Sequence, residues 1–153
     1  MNIYNKKTIY LDYAATTPLD SEVKHEMDLV WEKYGNPSSL HSRGYEAKVA
    51  LDSAREKISK ILGARADEVI FTSGGTESDN LAIFGYARAC LPVGMANKNK
   101  GNHIIVSTIE HHGVLEPAHK LEKEGFEITY FPVDKDGIIK IEDLEKTLKK
   151  ETI

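Results

Sequence analysis

Cysteine is almost missing from the sequence, which has Cys90 as its one cysteine in 153 residues. A single cysteine excludes an internal disulfide and fits a reducing compartment. The sequence also has no apolar run near the roughly 18 residues that a membrane-spanning helix needs, and it begins with a polar segment. We therefore expect a soluble, cytoplasmic protein without a membrane partner.

An excess of positive charge is missing as well. The 20 lysines and arginines are dispersed among 24 aspartates and glutamates, which leaves a net charge of −4. Nucleic-acid-binding proteins need a basic face for the phosphate backbone, so we expect no nucleic-acid partner. Apolar side chains make up 41% of the sequence, which is enough for one core, in one domain or in a piece of one.

The spacing of apolar residues predicts two amphipathic helices in the first part of the chain. The first would begin at Asp20 or Ser21 and end before Gly35, and the second would follow Ser42 and end at Gly63. Apolar side chains of the first helix share one face, at Val23, Met27, Val30, Trp31 and Tyr34. An irregular loop, residues 36–39, separates the two helices.

Short continuous apolar runs predict three strands that alternate with helices. The strands are 69–71, 104–106 and 128–133, and the helices between them would span about 76–89 and 114–125. This alternation is typical of βαβ units with a parallel sheet, so the predicted fold class is α/β. An exposed loop at 92–102, a turn at 134–137 and a polar helix at 142–150 complete the prediction.

Residues 73–77, Ser-Gly-Gly-Thr-Glu, follow the first predicted strand, where ligands gather in α/β sheets. Gly74 and Gly75 let the backbone approach an anion closely, and the helix start offers free N–H groups with about half a positive charge. Thr76 adds a hydroxyl donor. The pattern differs from the Walker motif and from G-x-G-x-x-G, which disfavours ATP and dinucleotides. Two interpretations stay open, a phosphate cradle and an ordinary tight turn capped by Ser73 or Thr76.

Glu110, His111 and His112 follow the second predicted strand at its carboxyl end. An imidazole there can stack on a flat heteroaromatic ligand, a contact worth about 0.5 to 1.5 kcal/mol. A metal site would need His112, Glu116 and His119, but these histidines stand about 10 Å apart along a helix, too far to share one ion. We therefore expect no metal. Capping or solvation is the plain alternative for His112 and His119.

Two further features have ordinary structural interpretations. Residues 134–137, Asp-Lys-Asp-Gly, resemble the start of a calcium loop, but the glycine comes too early and the third acidic ligand is absent, so we predict a turn. Cys90 lies late in an apolar helix, which predicts a buried structural thiol rather than a nucleophile.

Four segments, in their order along the chain, resemble the cysteine desulfurases, which are fold-type I pyridoxal-phosphate enzymes. They are 11–18 (LDYAATTP), 36–41 (NPSSLH), 71–83 (FTSGGTESDNLAI) and 110–117 (EHHGVLEP). The resemblance covers the whole chain, and the third segment is the most specific. It implies an enzyme that takes sulfur from L-cysteine, which leaves L-alanine and a persulfide on an enzyme cysteine.

The resemblance implies pyridoxal 5′-phosphate as the cofactor. Gly75 and Thr76 would hold its phosphate, while His111 would stack on its ring and serve as an acid or base. The resemblance implies five more residues near the substrate. Ala14, Ala15 and Thr16 would line the substrate side of the site near the cofactor, and Asn36 and His41 would help to shape its entrance.

The family's other catalytic groups have no counterpart in these 153 residues. They are the cofactor-binding lysine of a Ser-x-His-Lys segment, an aspartate for the pyridine nitrogen, an arginine for the substrate carboxylate and the persulfide cysteine. In the family, central strands of the sheet also come later in the chain. The resemblance therefore implies the N-terminal portion of a longer enzyme, inactive alone, with residues 1–17 joining the small domain and 18–153 beginning the large one.

A partial chain of this kind would expose strand edges and apolar faces, and Gly75 and His111 would lie on strands joined only through absent ones. The intact enzyme would be a homodimer that passes sulfur to an acceptor or scaffold protein, for iron–sulfur cluster assembly or another sulfur transfer.

Three other functions fit parts of the sequence. A selenocysteine lyase or another class-V aminotransferase-like enzyme would share the four segments. A truncated or split chain would act without catalysis by assembling with a partner. A metal-dependent hydrolase would use the histidines, and metal analysis of the purified protein would exclude it.

Overall fold

The computed structural model describes residues 9–90 and 101–153, with the backbone alone at Cys90. The interpretation of the Cys90 thiol, most of the predicted loop at 92–102 and the start of the segment 1–17 lie outside the described residues. The chain divides into two compact units, residues 1–70 and 71–153. In the described part of the chain, no helix is both long and apolar enough to cross a membrane.

The first unit contains helices α1 (Ser21–Trp31) and α2 (Ser42–Leu62) and a short 3₁₀ turn, Ala66–Glu68. Helix α1 begins after Asp20, whose side chain accepts a hydrogen bond from the Glu22 amide at 2.7 Å. Helix α2 ends at Gly63, which has a φ of 66° and so adopts the left-handed conformation that glycine tolerates best. Both predicted helices are therefore confirmed, although α1 ends four residues before Gly35.

The apolar face of α1 is exposed in this chain. None of the residues of α1 is buried, and Trp31 is 84% exposed. Val23, Met27 and Val30 each keep about half of their surface accessible. The expectation that this partial chain exposes an apolar face is therefore confirmed for α1, because no described part of the first unit covers that face.

The second unit contains α3 (Gly75–Cys90), β1 (His103–Ser107), α4 (His112–Lys123), β2 (Glu127–Phe131) and α5 (Ile141–Thr147). Strands β1 and β2 pair in parallel, with His103 opposite Glu127 and Ser107 opposite Phe131. Helix α4 connects them, so the unit contains the predicted βαβ arrangement. The turn at 134–137 is also confirmed, since the Asp134 carboxylate accepts the amides of Asp136 and Ile138 at 2.9 Å each.

The core of the second unit brings α3, α4 and the sheet together. Leu121 of α4 is fully buried, and it clusters with Ala87 of α3 and with Phe126, which precedes β2. Partly buried apolar side chains pack around this cluster, at Ile83, Phe84, Ile104, Ile128 and Ile153. Helices α3 and α4 are therefore fixed against each other by the same side chains that support the strands.

The strand predicted at 69–71 is wrong. Residues 69–72 belong to no strand within the described ranges, and Ile70 is 67% exposed. A strand needs the backbone groups of a neighbouring strand, and the two strands described, β1 and β2, pair with each other. The Val69 carbonyl instead accepts a hydrogen bond from Arg55 Nε at 3.2 Å. This apolar run therefore lies outside any sheet.

His103 links three stretches of backbone at the start of β1. Its side chain is fully buried, with Nε2 2.7 Å from Thr129 Oγ1 and Nδ1 2.8 Å from Thr152 Oγ1. The His103 amide donates to the Glu151 carbonyl, and the Ile153 amide donates to the His103 carbonyl, at 3.0 Å each. The end of the chain therefore forms a parallel bridge on the edge of β1 that faces away from β2.

We expect His103 to make the chain less stable as the pH falls below 6.5, the ordinary pKa of histidine. Burial, and after it the positive charge of Lys149, lowers the pKa of folded His103, so the unfolded state binds more protons in this range. The free energy of unfolding should fall by up to about 1.4 kcal/mol per pH unit. Urea denaturation at about pH 7.5 and about pH 5.5 measures the change.

The His103→Asn variant is the control, because asparagine takes up no proton. Its stability should change less between the two pH values than that of the unaltered chain. An equal change in both proteins would show that His103 is not the titrating group.

Candidate functional site

The start of α3 presents backbone amides that have no acceptor within the helix. The first helical hydrogen bond runs from the Ser78 amide to the Gly74 carbonyl, at 3.1 Å. The amides of Gly75, Thr76 and Glu77 precede this bond and therefore lack an intrahelical partner. They lie at the positive end of the helix dipole, which favours an anion. The helix start thus has the donors that a phosphate needs.

Hydroxyl groups fix the turn that leads into α3. Thr72 Oγ1 and Ser78 Oγ lie 2.6 Å apart, so one hydroxyl donates to the other, and the remaining proton can be donated to the Gly74 carbonyl, which lies 3.2 Å from Thr72 Oγ1 and 3.3 Å from Ser78 Oγ. This carbonyl is therefore occupied by protein donors. The Gly74 carbonyl therefore needs no donor from a ligand, while the amides of Gly75, Thr76 and Glu77 stay available to an acceptor.

Glu77 closes the turn from the helix side. One oxygen of its carboxylate, Oε2, accepts hydrogen bonds from the Ser73 hydroxyl and the Ser73 amide, both at 2.6 Å. These two bonds, the hydroxyl bond first, lower the pKa of Glu77 below its usual value. The carboxylate is therefore ionised at neutral pH and directed to Ser73.

His111 is the N-cap of α4. Its Nδ1 accepts a hydrogen bond from the Gly113 amide at 2.9 Å, so the neutral ring carries its proton on Nε2. The next residue, His112, begins the helix, and the two imidazoles lie 6.2 Å apart at an angle of 66°. The cap fixes the orientation of the His111 ring relative to the start of α4.

One cavity of about 400 Å³ joins the start of α3 to the start of α4. It is lined by side chains and backbone of both helices, at Thr76, Asn80, Phe84, His111, His112, Gly113, Glu116 and Pro117. A Cβ atom placed on Gly113 would lie 3.7 Å from Thr76 Cα, which shows how closely the helices approach. The expectation that Gly75 and His111 are joined only through absent strands is therefore wrong, because α3 packs directly on α4.

The resemblance did not single out Asn80, Phe84 and Pro117 as lining residues. Asn80 Nδ2 donates to the Thr76 carbonyl at 2.8 Å, and the guanidinium of Arg88 lies over the Phe84 ring at 4.5 Å. The sequence spacing could have indicated two of them. Asn80 and Phe84 follow Thr76 at intervals of one helical turn, so the three residues share one face of α3.

The other predicted site residues lie in the first unit. Ala14, Ala15 and Thr16 are exposed, in a turn in which the Ala15 amide donates to the Asp12 carbonyl at 3.1 Å. Asn36 Oδ1 accepts the Ser38 amide at 2.9 Å. Their roles next to a substrate stay predictions.

His41 caps α2 in the way that His111 caps α4. Its Nδ1 accepts the Gly44 amide at 3.3 Å. Gly44 is buried under the preceding loop, and a Cβ there would lie 2.3 Å from the Ser39 carbonyl oxygen and 2.8 Å from that of Asn36. The loop 36–41 is therefore closed onto the first turn of α2.

Among the residues that the structure describes, no three His, Cys, Asp or Glu side chains come together as a metal site requires. His119 Nδ1 lies 3.9 Å from Glu116 Oε1, and its ring lies 5.4 Å from that of Tyr130. These contacts give His119 structural neighbours on α4 and β2.

The sequence matches the Aminotransferase class-V family over residues 9–153. A related protein, the cysteine desulfurase IscS of Dictyoglomus turgidum, is 56% identical over 149 residues, which are 97% of this chain and 36% of the relative. The chain therefore spans little more than a third of the length of this relative.

Solved structures show the same relationship. A NifS-like protein superimposes with a TM-score of 0.80 at 42% identity, over 90% of this chain and 36% of the other. SspA in complex with cysteine superimposes with a TM-score of 0.82 at 38% identity, over 95% of this chain and 40% of the other. The predicted fold is thereby confirmed as part of a larger α/β architecture.

We expect Gly44→Ala to destabilise the first unit by about 1 to 3 kcal/mol, because its Cβ would overlap two backbone carbonyls that cannot move separately from the loop. Gly85→Ala is the matched control, since a Cβ there meets nothing within 4 Å and alanine favours a helix by about 1 kcal/mol. Urea denaturation followed by circular dichroism compares the variants. If Gly44→Ala were as stable as the unaltered chain, the described closure of the loop would be incorrect.

Proposed function

The chain belongs to the Aminotransferase class-V family, and we propose that it provides the phosphate-binding part of a cysteine desulfurase that uses pyridoxal 5′-phosphate. The reaction proposed for the whole enzyme converts L-cysteine to L-alanine and leaves the sulfur on an enzyme cysteine. Two comparisons support this substrate, a relative named cysteine desulfurase and a neighbouring structure in complex with cysteine.

The observation that carries the proposal is the cavity that Thr76, at the start of α3, shares with His111, the N-cap of α4. Pyridoxal 5′-phosphate has a dianionic phosphate and a flat ring. A helix start provides donors for the phosphate, an imidazole provides a surface for the ring, and Thr76 and His111 both line this cavity. The residues present therefore fit the cofactor. They fit a nucleotide less well, since the turn lacks the lysine of the Walker motif.

Each residue of the cavity has a proposed task. The amides of Gly75 and Thr76 and the hydroxyl of Thr76 would donate to the phosphate. His111, held by the Gly113 amide with its proton on Nε2, would lie against the ring and exchange a proton at Nε2. When bound, the cofactor supplies an electron sink that withdraws electrons from the substrate α-carbon.

Catalysis requires groups beyond these 153 residues. No lysine here lies in a Ser-x-His-Lys segment, and the chain spans 36% of its desulfurase relative. We assign the lysine, the persulfide cysteine and the groups for the pyridine nitrogen and the substrate carboxylate to the rest of the enzyme. Residues 1–17 would join its small domain and 18–153 would begin its large domain.

The wider setting of the proposal follows the family. The intact enzyme would be a cytoplasmic homodimer that hands sulfur to an acceptor or scaffold protein. Ala14, Ala15 and Thr16 would face the substrate, and Asn36 and His41 would shape the entrance.

Phosphate-dependent binding tests the site itself. We expect pyridoxine 5′-phosphate, which cannot react with a lysine, to shift the amide signals of Gly75 and Thr76 in the ¹⁵N-labelled chain. Thr76→Val should raise its Kd by about fivefold, because one donor to the phosphate is lost. Thr108→Val, which changes an exposed threonine of the same unit, should leave the Kd unchanged. Equally strong binding of pyridoxine without its phosphate would contradict the proposal.

Covalent capture tests the assignment of the lysine. We expect no single-site adduct after treatment of the 153-residue chain with pyridoxal 5′-phosphate and borohydride, because the family's lysine is not among its residues. Intact mass and peptide mapping measure the outcome. A stoichiometric adduct on one lysine of this chain would place the covalent anchor within residues 1–153 and overturn the assignment.

A further inference from the structure

We propose that Glu77 is a positioning residue that holds the phosphate-binding turn, residues 73–77, in its observed conformation. It does so through two hydrogen bonds that it accepts from Ser73, which we call the clamp. The proposal rests on the proposed function, since it concerns the same amides at the start of α3. Glu77 would touch neither cofactor nor substrate, and it would act through the backbone of residues 73–77.

The clamp spans the two glycines of the turn. The amide and the hydroxyl of Ser73 both donate to Glu77 Oε2 at 2.6 Å, which closes a ring across Gly74, Gly75 and Thr76. A charged acceptor makes these hydrogen bonds stronger than neutral ones. The ring therefore restrains the residues that present the free amides.

The surrounding structure does little to hold these glycines. A Cβ atom built on Gly74 or on Gly75 meets no atom within 4 Å in the part of the chain that the structure describes. Glycine also has the widest backbone freedom of all residues, so an unrestrained Gly-Gly turn would sample many conformations. The restraints described on this turn are thus the hydrogen bonds from Ser73 to Glu77, the contact between Thr72 and Ser78, and the first helical bond from the Ser78 amide to the Gly74 carbonyl.

The clamp also removes a competitor for the amides. A carboxylate in the first turn of a helix is attracted to the same free N–H groups that would bind a phosphate. In the structure, Glu77 Oε2 is directed to Ser73 instead, outside the helix. These bonds, the one from the Ser73 hydroxyl first, also lower the pKa of Glu77, so its carboxylate is ionised at neutral pH.

Two substitutions at position 77 separate the clamp from simple charge repulsion. Both Glu77→Ala and Glu77→Gln remove a negative charge near the phosphate, so repulsion alone predicts tighter binding in both variants. Glutamine keeps an oxygen that can accept a hydrogen bond from Ser73, whereas alanine does not. The clamp therefore predicts that the two variants differ.

The experiment measures the Kd of pyridoxine 5′-phosphate from the amide shifts of Gly75 and Thr76 in the ¹⁵N-labelled chain. Glu77→Ala should raise the Kd by about fivefold, and Ser73→Ala by about twofold, because they remove two bonds and one bond of the clamp. Glu77→Gln should bind within about twofold of the unaltered chain or more tightly. Glu22→Ala, which removes a first-turn carboxylate from α1, should bind like the unaltered chain.

Hydrogen exchange supplies a readout that does not depend on the ligand. The Ser73 amide should exchange faster in Glu77→Ala than in Glu77→Gln, while the amides of β1 keep their protection in both. If Glu77→Ala fails to fold, Ser73→Ala decides the question, because the clamp predicts a Kd about twofold above that of the unaltered chain and an unchanged Kd would overturn it.

The outcomes distinguish a failure of the proposed clamp from a failure of the proposed phosphate site. A Kd for Glu77→Ala equal to or below that of the unaltered chain would overturn the clamp and leave the phosphate site intact. Absence of pyridoxine 5′-phosphate binding by the unaltered chain would overturn the proposed phosphate site, and the clamp with it.

Discussion

Helices α3 and α4 lie close to each other at Gly113, where an added Cβ would lie 2.9 Å from Asp79 Oδ2 and 3.7 Å from Thr76 Cα. This contact brings a helix start with free amides to the imidazole of His111. At the other end of the pair, Arg88 donates to Glu124 at 3.1 Å, and Ala87 and Leu121 share one core cluster between the ends. Because the helices are fixed along their length, the cavity at their starts has defined walls.

The sheet supports the segment that leads to His111. Strand β1 ends at Ser107, whose buried hydroxyl donates to the Glu110 carboxylate at 3.0 Å, just before His111. At its beginning, β1 is linked through His103 to Thr129 and Thr152. The backbone just before His111 is therefore held at the end of β1, and the beginning of β1 is held by residues of β2 and of the chain end. Such support from packed elements is what a binding site needs to keep its geometry.

Much of this arrangement could be predicted from the sequence, because hydrophobic period and glycine position report local structure directly. The turn at 73–77, the helices and the β1–β2 pair follow from these signals. The strand at 69–71 could not be judged in the same way, since a strand depends on partners far along the chain. The His111 cap and the Glu77 clamp were also not predicted, because side-chain hydrogen bonds depend on orientations that spacing does not specify. The site residues of the first unit remain predictions for the same reason.

The family resemblance and the physics of the turn lead to one ligand by separate routes. Backbone amides explain why the turn would bind a phosphate, and the proposed desulfurase function indicates pyridoxal 5′-phosphate as the ligand. A crystal structure of the chain with pyridoxal 5′-phosphate would show where the phosphate and the ring bind. We expect phosphate oxygens within hydrogen-bond distance of the amides of Gly75 and Thr76, with the pyridine ring against His111. A phosphate bound elsewhere, or a ring remote from His111, would contradict it.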